Sequence, residues 1–144
     1  MRKLGVWIHP KELASELQVE KVIRNLKAAG FNLAAVLVKG TDGRVFFESE
    51  RAIEKHMAFD FLKHITKRGR EEGIEVHAWF VVFAEGYKSL RGLLSKKPEL
   101  AVVDEAGTRF GWMCPSREEV HEYLLDLFRE ILEKYEVDGI HLDY

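Results

Sequence analysis

The chain has 144 residues, of which 47% are hydrophobic and 32% are charged, and its formal net charge at pH 7 is −2. This length predicts one domain, residues 1–144, with enough hydrophobic residues to bury a core. The near-neutral charge argues against nucleic acid as a partner, and the lack of a long apolar run in the sequence argues against a membrane span.

The cysteine content and the N-terminal residues bear on the cellular location. Cys114 is the only cysteine in the sequence, so the chain cannot form an internal disulfide. The apolar run near the N-terminus is interrupted by His9 and Pro10, and it is too short for the core of a signal peptide. We therefore expect a cytoplasmic protein. The abundance of Lys and Glu is typical of thermophilic proteins.

The first half of the chain shows two strand–helix pairs. Residues 4–9 form an apolar run that predicts a strand, and apolar side chains then recur at the 3.6-residue spacing of a helix over residues 19–29. Gly30 stands where a helix commonly ends in a left-handed residue. A second predicted strand, residues 32–39, is followed by a second amphipathic helix at residues 58–72.

The second half of the chain repeats this pattern. Residues 74–83 predict a third strand, and Ser116 with Glu119 forms a capping box before the apolar face of a third helix, residues 120–132. Residues 137–143 predict a fourth strand. Strands that alternate with helices of this length indicate an α/β fold with a parallel sheet.

The predicted connections differ in length at the two ends of the sheet. Each helix is followed closely by the next strand, whereas residues 40–57 and 84–115 form long links from a strand to the next helix. Long loops in compact domains are commonly functional, and both of these follow the carboxyl end of a strand. Enzymes built from parallel β/α units carry their chemistry at that end, so we expect the functional site there.

The fourth predicted strand carries a carboxylate to this end of the sheet. Alternation places Gly139, His141 and Asp143 on one face and the apolar Ile140 and Leu142 on the other. We expect the apolar pair to pack beneath helices and the polar set to point into a barrel interior. Asp143 is therefore the candidate for chemistry.

Other acids are less suited to the same reaction centre. Asp138 begins the fourth strand about 16 Å from Asp143, too far for the two carboxylates to act together. We expect Asp138 to be a turn or hydrogen-bonding residue. A second carboxylate could instead come from the long links, where the candidates are Glu48, Glu50 and Glu85.

Indole and imidazole side chains share faces of the other strands. Trp7 and His9 lie on one face of the first strand, and His77 and Trp79 lie on one face of the third. If these faces converge with Asp143, the aromatic rings can stack on sugars while polar groups bind hydroxyl groups. The alternative is that the tryptophans are core residues and the histidines are buried and hydrogen-bonded.

Metal and nucleotide chemistry have less support in the sequence. His9, His77, His141 and Asp143 could converge as metal ligands, but the chain has no H-x-H or H-E-x-x-H spacing. It also has no G-x-G-x-x-G or Walker sequence. We therefore expect no cofactor and no metal, with a metal-dependent hydrolase as an alternative.

Six short motifs resemble the glycosyl-hydrolase-like (β/α)8 barrel family that is related in name to family 10 glycosidases. They are L-G-V-W-I at residues 4–8, G-F-N at 30–32, V-K-G at 38–40, E-V-H-A-W-F at 75–80, M-C-P-S at 113–116 and Y-E-V-D-G-I-H-L-D-Y at 135–144. The last motif also resembles the fourth strand of family 18 chitinases. Together the motifs extend over nearly the whole chain.

The resemblance implies a glycosidase that acts on an oligo- or polysaccharide. Asp143 matches the family's acid at the end of strand four and would be the catalytic carboxylate. Lys39 stands where the family usually has Arg, which keeps the positive charge but loses bidentate hydrogen bonding. The residues that we expect to bind the sugar are Trp7, His9, Lys39, His77, Trp79, Trp112, His141 and Tyr144.

The family's barrel has eight strands, and the sequence predicts four. The expected fold is therefore half of a (β/α)8 TIM barrel, in which four parallel strands alternate with three helices. A small open parallel sheet of the same connectivity is the alternative. Exposed edges at the first and fourth strands predict self-association or a missing C-terminal half-barrel. Because glycosidases normally use two carboxyl groups, a non-catalytic carbohydrate-binding or pseudoenzyme fragment is the alternative function.

Overall fold

The computed structural model describes residues 2–144 as a central parallel sheet with helices on one face and a smaller antiparallel sheet inserted late in the chain. In chain order the elements are β1 (Gly5–Ile8), α1 (Glu16–Ala28), β2 (Leu33–Lys39), β3 (Arg44–Val45), β4 (Glu54–Lys55), α2 (Phe61–Glu72), β5 (Glu75–Val81), β6 (Ala84–Tyr87), α3 (Gly92–Lys96), β7 (Ala101–Val103), β8 (Arg109–Met113), α4 (Glu118–Lys134) and β9 (Gly139–Asp143). Short 3₁₀ turns occupy Pro10–Leu13 and Pro98–Leu100.

The four strands predicted from the sequence form the central sheet. β1, β2, β5 and β9 lie side by side in that order, and each neighbouring pair is parallel. Because α1, α2 and α4 connect them in turn, the spatial order follows the chain order, as in consecutive units of a (β/α)8 barrel. The prediction of half a barrel is confirmed.

Alternation along the strands separates two hydrophobic layers. The residues of β2 and β5 in the main core, which also contains the apolar faces of the helices, include Val36, Val38, Val76, Ala78 and Phe80. The side chains that alternate with these on β2 and β5 point to the other face and form a smaller cluster with Ala84 of β6. The cluster contains Ala35, Leu37, Trp79, Val81 and Ala84. This second face corresponds to the interior of a closed barrel, and Trp79 therefore points inward as the alternation predicts.

One predicted helix end is confirmed and one predicted helix start is wrong. Gly30 follows α1 with a left-handed φ of +78°. The helix α4 has Arg117 as its N-cap, with no side-chain capping bond, instead of the predicted box of Ser116 and Glu119. The Glu119 carboxylate is engaged elsewhere, because it accepts a hydrogen bond of 2.9 Å from Lys97 Nζ. Ser116 Oγ lies 3.1 Å from Cys114 Sγ, so neither member of the predicted box caps the helix.

The two long strand-to-helix links contain regular structure that the sequence pattern does not predict. In the first link β3 and β4 form a short parallel pair, and β3 joins the carboxyl end of β2 through Val45 and Lys39. In the second link the antiparallel sheet has the order β6-β8-β7. Both links begin at the carboxyl ends of central strands, as the difference in loop lengths predicts.

None of the helices in the described chain combines the length and the apolar composition needed to cross a bilayer. The cytoplasmic location and the thermophilic source stay predictions from the sequence.

A buried ion pair between Lys39 and Glu85 joins the central sheet to the inserted segment. Lys39 Nζ lies 3.0 Å from Glu85 Oε1, and both side chains are 0% exposed. The same ammonium donates to the carbonyl oxygens of Val81 at 2.9 Å and Val82 at 3.4 Å. The second carboxylate oxygen, Glu85 Oε2, accepts the backbone N–H of Leu93 at 2.5 Å. The pair therefore connects the end of β2, the segment after β5 and the start of α3.

Lys39 reaches this position through an irregularity in β2. Strict alternation would place it on the barrel-interior face, two residues beyond Leu37 and opposite Val81. The register between β2 and β5 instead shifts between Leu37 and Lys39, so that Lys39 stands opposite Phe80. Because Phe80 belongs to the main core, the shift turns Lys39 away from the interior face.

The ion pair is tightly enclosed. A Cβ atom at Gly92 would stand 2.0 Å from Glu85 Oε2, and Gly92 also has a left-handed φ of +51°, so this position requires glycine. Burial lowers the pKa of the Lys39 ammonium, and the charge of Glu85 opposes that effect. Removing one partner would leave the other charge buried without compensation.

We expect Lys39→Met to lower the free energy of unfolding by about 3–5 kcal/mol, because it strands the Glu85 carboxylate in the core. The double variant Lys39→Met/Glu85→Gln should recover part of this loss, since it removes both charges. Guanidinium chloride denaturation measures all three proteins. Lys55→Met is the control, because Lys55 pairs with Glu48 at the surface and should lose less than about 1 kcal/mol. Equal losses for Lys39→Met and Lys55→Met would contradict the account.

The sheet has open edges at β1 and β9, each of which pairs with a single strand within residues 2–144. Beside β9, an apolar groove of about 500 Å³ runs between this strand and α4, where Leu124, Leu125 and Phe128 face Leu142. Ile140 packs against the core as predicted. Leu142 does not, and it is 59% exposed, since no helix of the described chain covers it. Open edges and exposed apolar side chains favour association.

We expect residues 1–144, prepared alone, to self-associate through this edge. Leu142→Lys places a charge in the groove and should shift the population toward monomer in light scattering at micromolar concentration. Leu17→Lys is the matched control, because Leu17 is 78% exposed on α1 and lies outside the groove. A monodisperse monomer of the unmodified chain would count against this expectation.

Candidate active site

Asp143 ends β9 with both carboxylate oxygens hydrogen-bonded. Its Oδ2 accepts the indole Nε1–H of Trp79 at 3.1 Å, and its Oδ1 accepts the backbone N–H of Tyr144 at 3.0 Å. These two donors fix the orientation of the carboxylate. Each oxygen has a second lone pair, so the group can still accept a proton or contact a ligand.

Aromatic rings from β1, β5 and β9 surround the indole that holds Asp143. The ring centroids of Trp7 and Trp79 are 4.6 Å apart, and those of Trp7 and His141 are 4.5 Å apart. His9, just after β1, meets Trp79 edge to face at 5.3 Å. The structure therefore brings together the residues that the sequence predicts on the converging faces, and Trp7 is 48% exposed beside them.

A cleft of about 630 Å³ opens next to this cluster, and this volume is typical of a small-molecule site. His9, Trp79 and Tyr144 line it from the central sheet. Asp143 does not itself line this cleft, but it is hydrogen-bonded to Trp79 and Tyr144, which do, and it lines the apolar groove beside α4. The other wall comes from the link between β2 and α2.

This second wall contains polar and aromatic residues that the sequence analysis does not identify, and they include Asp42, Arg44, Phe46 and His56. Their only signal in the sequence is their position in a long loop after a strand. Asp42 Oδ2 accepts a hydrogen bond of 2.6 Å from Arg44 Nε. Although burial opposes the effect, hydrogen bonds from Arg44 hold the pKa of Asp42 below its usual value. Asp42 is the one acid that lines the cleft in the described chain, and it is already paired.

The candidate acids of the long links lie outside this cleft. Glu85 is buried against Lys39, and Glu48 pairs with Lys55 at 2.6 Å. Asp138 has the hydrogen-bonding role that the sequence predicts, because its Oδ2 accepts the backbone N–H of Val76 at 2.8 Å.

Two of the predicted sugar-binding residues lie apart from Asp143. The structure corrects the predicted role of Lys39, because its ammonium is fully buried on protein acceptors and does not reach the cleft. His77 lies opposite Gly139, two residues before Trp79 on β5. Its Nε2 is 3.6 Å from Glu75 Oε2, so His77 occupies a lower level of the same face.

Trp112 approaches Asp143 from the inserted sheet. Its ring centroid lies 6.0 Å from that of Tyr144 and 5.4 Å from that of Tyr87. Trp112 also packs against the interior-face cluster that contains Trp79. The second link therefore contributes an aromatic ring next to Tyr144.

The predicted alternative set of metal ligands does not form. Within residues 2–144, no three or more His, Cys, Asp or Glu side chains are grouped so that they could hold a metal ion. The four candidates lie near the aromatic cluster and do not form a coordination sphere. They are His9, His77, His141 and Asp143.

Comparison with known proteins identifies relatives of this fold. The family described as Glycosyl hydrolase-like 10 matches residues 2–144. A hypothetical protein from Ruminiclostridium thermocellum ATCC 27405 superimposes with a TM-score of 0.81 at 23% identity, over 96% of this chain and 75% of that chain. Alpha-L-fucosidase isoenzyme 2 from Paenibacillus thiaminolyticus superimposes with a TM-score of 0.78 at 23% identity, over 100% of this chain and 24% of that chain.

A further relative is an S-layer-related protein from Niallia circulans, which is 24% identical over an aligned length of 177 residues. The match covers 99% of this chain and 11% of that protein. The chain thus spans a minor part of this relative and of the fucosidase. At these identities the structural likeness shows the fold alone, whereas the family match extends over the described residues. The chain belongs to the glycosyl hydrolase-like 10 family.

Proposed function

We propose that this chain is the part of a glycoside hydrolase catalytic domain that carries one catalytic carboxylate, Asp143, and one wall of the sugar site. The observation that carries the proposal is the pair of N–H donors on Asp143, from Trp79 and Tyr144, beside a cleft of suitable size. Membership in the glycosyl hydrolase-like family supports the reaction class, which is hydrolysis of an O-glycosyl bond.

The two hydrogen bonds to Asp143 suit a catalytic carboxylate, because they hold it in one orientation and leave its negative charge available for the reaction. The Trp79 indole and the Tyr144 amide are neutral donors, so they orient Asp143 without neutralising it. Glycoside hydrolysis passes through an oxocarbenium-like transition state flanked by carboxyl groups. Asp143 would serve there as nucleophile, as acid/base or as the stabilising carboxylate.

A second carboxyl group is needed for the usual reaction. It lies about 5–5.5 Å from the first in retaining glycosidases and about 6.5–9.5 Å in inverting ones. Asp42 is unsuited to the role because Arg44 already holds it. We propose that the second carboxylate comes from outside residues 1–144, in the complementary part of a barrel.

We propose that the aromatic residues near Asp143 bind an oligo- or polysaccharide. The half-exposed ring of Trp7 offers an apolar surface for a sugar face. The ring nitrogens of His9 and His141 would bind its hydroxyl groups. Trp112 and Tyr144 would extend the site toward the inserted sheet, and His77 would support its lower level.

We expect Asp143→Asn to lower kcat by on the order of 10²- to 10⁴-fold while sugar binding is retained, because the amide cannot carry the charge or transfer the proton. The measurement is steady-state hydrolysis of a saccharide by a full-length barrel that includes the complementary part, since that part supplies the second carboxylate. Asp126→Asn is the matched control, since Asp126 pairs with Arg129 at 3.2 Å on α4, away from the cleft. Turnover of Asp143→Asn close to that of the control would remove Asp143 from catalysis.

The second candidate function is sugar binding without hydrolysis. The favouring observation is that the one acid in the cleft of the described chain is already paired with Arg44. Isothermal titration calorimetry that detects a saccharide, together with no hydrolysis of that saccharide by a full-length barrel that includes the complementary part, would favour this candidate over the hydrolase.

A further inference from the structure

Three aromatic residues form a cluster where the inserted sheet meets the end of β9. We call Tyr87, Trp112 and Tyr144 the aromatic triad. Its ring centroids are 5.4 Å apart for Tyr87 and Trp112, and 6.0 Å apart for Trp112 and Tyr144. Tyr87 is 39% exposed and Tyr144 is 57% exposed. The triad thus presents ring surface to solvent instead of forming a closed core.

The backbone at two triad members is strained. Tyr87 has φ = +57° and Tyr144 has φ = +55°, and they are the two non-glycine residues with positive φ in the described chain. Bulky residues rarely adopt this conformation, which persists mainly where the surrounding structure or a function requires it. The backbone N–H of Tyr144 also donates to Asp143 Oδ1 at 3.0 Å.

The backbone beside Tyr87 connects the triad to the cleft. Gly86 donates its backbone N–H to the carbonyl oxygen of Thr41 at 2.7 Å, and Thr41 lines the cleft. Burial of the hydroxyl and the proximity of Tyr144 raise the pKa of Tyr87 above its ordinary value, so this group stays protonated and can donate. The triad therefore combines apolar ring faces with a hydroxyl group, the combination that a sugar unit requires.

We propose that the aromatic triad is a binding subsite for a second sugar unit next to the unit held at Asp143, so that the ligand is a saccharide chain and not a single glycoside. The inference rests on the proposed function. Continuity supports it, because Tyr144 contacts Asp143 through its backbone and Trp112 through its ring. Tyr87 is the residue that this subsite adds to those predicted from the sequence.

Binding of short saccharides to the unmodified chain and to Tyr87→Asn tests the subsite. Asn tolerates positive φ, so the variant removes the ring while keeping the turn. The probes are maltotetraose, cellotetraose and chitotetraose, each compared with its monosaccharide by isothermal titration calorimetry. We expect Tyr87→Asn to weaken binding of the preferred tetrasaccharide by roughly 2- to 10-fold, with binding of the monosaccharide unchanged.

Phe110→Asn is the matched control, because Phe110 is also 39% exposed, stands two residues before Trp112 on β8 and makes none of the triad's ring contacts. Circular dichroism checks folding, and Trp112→Leu is the second variant, with the same expected loss, for use where Tyr87→Asn does not fold.

The outcomes separate this inference from the proposed function. Equal effects of Tyr87→Asn and Phe110→Asn, or equal weakening of the monosaccharide and the tetrasaccharide, overturn the subsite alone. Selective loss of tetrasaccharide binding supports the subsite, whereas a lack of hydrolysis by a full-length barrel that includes the complementary part would overturn the hydrolase alone. Failure of the unmodified chain to bind any of the probes overturns the subsite together with the sugar-binding role on which it rests.

Discussion

The end of the sheet at which the strands have their carboxyl ends depends on one interaction, the buried ion pair of Lys39 and Glu85. It links the end of β2 to the segment that leaves β5 and to the start of α3. The β2–α2 link also packs against it, because a Cβ atom at Gly43 would stand 3.0 Å from Glu85 Oε2. A fully buried charged pair tolerates little displacement, since separating the two charges would leave each of them in the core without its partner. Both walls of the cleft and the segment that leads to Tyr87 are therefore held relative to Asp143.

The site itself is assembled from residues that are distant in the chain. Asp143 is oriented by Trp79 from a neighbouring strand, and Trp79 is packed by Trp7 and His9 from the first strand. Such a site exists only when the parallel sheet has formed, which couples its geometry to the stability of the fold. The interior face that carries these residues is open on the side of β9, where a closed barrel would place further strands. Partners for Asp143 would approach from that side.

The sequence predicted most of the fold because its main features are local. The apolar alternation of residues 137–143 and the helical spacing of residues 19–29 arise from short-range periodicity, and both appear in the structure as β9 and α1. The unequal lengths of the connections predicted which end of the sheet carries the long links. The same alternation placed Trp79 and Asp143 on one face, where they now share a hydrogen bond.

The features that the sequence did not predict depend on contacts between distant residues. Lys39 would face the cleft by alternation, but a shift in pairing with β5 turns it toward Glu85. The predicted capping box of α4 does not form, and Glu119 binds Lys97 of the inserted segment instead. The inserted sheet consists of short, irregularly paired strands, so it lacks a periodic signal. Arg44 and Asp42 enter the cleft only through the folding of a link that local patterns leave undefined.

The central claim is that the carboxyl-terminal face of this half-barrel binds saccharide beside Asp143. The chain contains three tryptophans, Trp7, Trp79 and Trp112, and all of them lie at this face. Their indole N–H signals in a ¹H–¹⁵N correlation spectrum therefore report on the site directly during titration with saccharide. We predict saturable shifts of the indole signals. The shifts should be largest for Trp79, which donates a hydrogen bond to Asp143, and for the exposed tryptophan rings. Saccharide binding that shifts backbone signals of α1 and α2 and leaves all three indole signals unchanged would contradict the account.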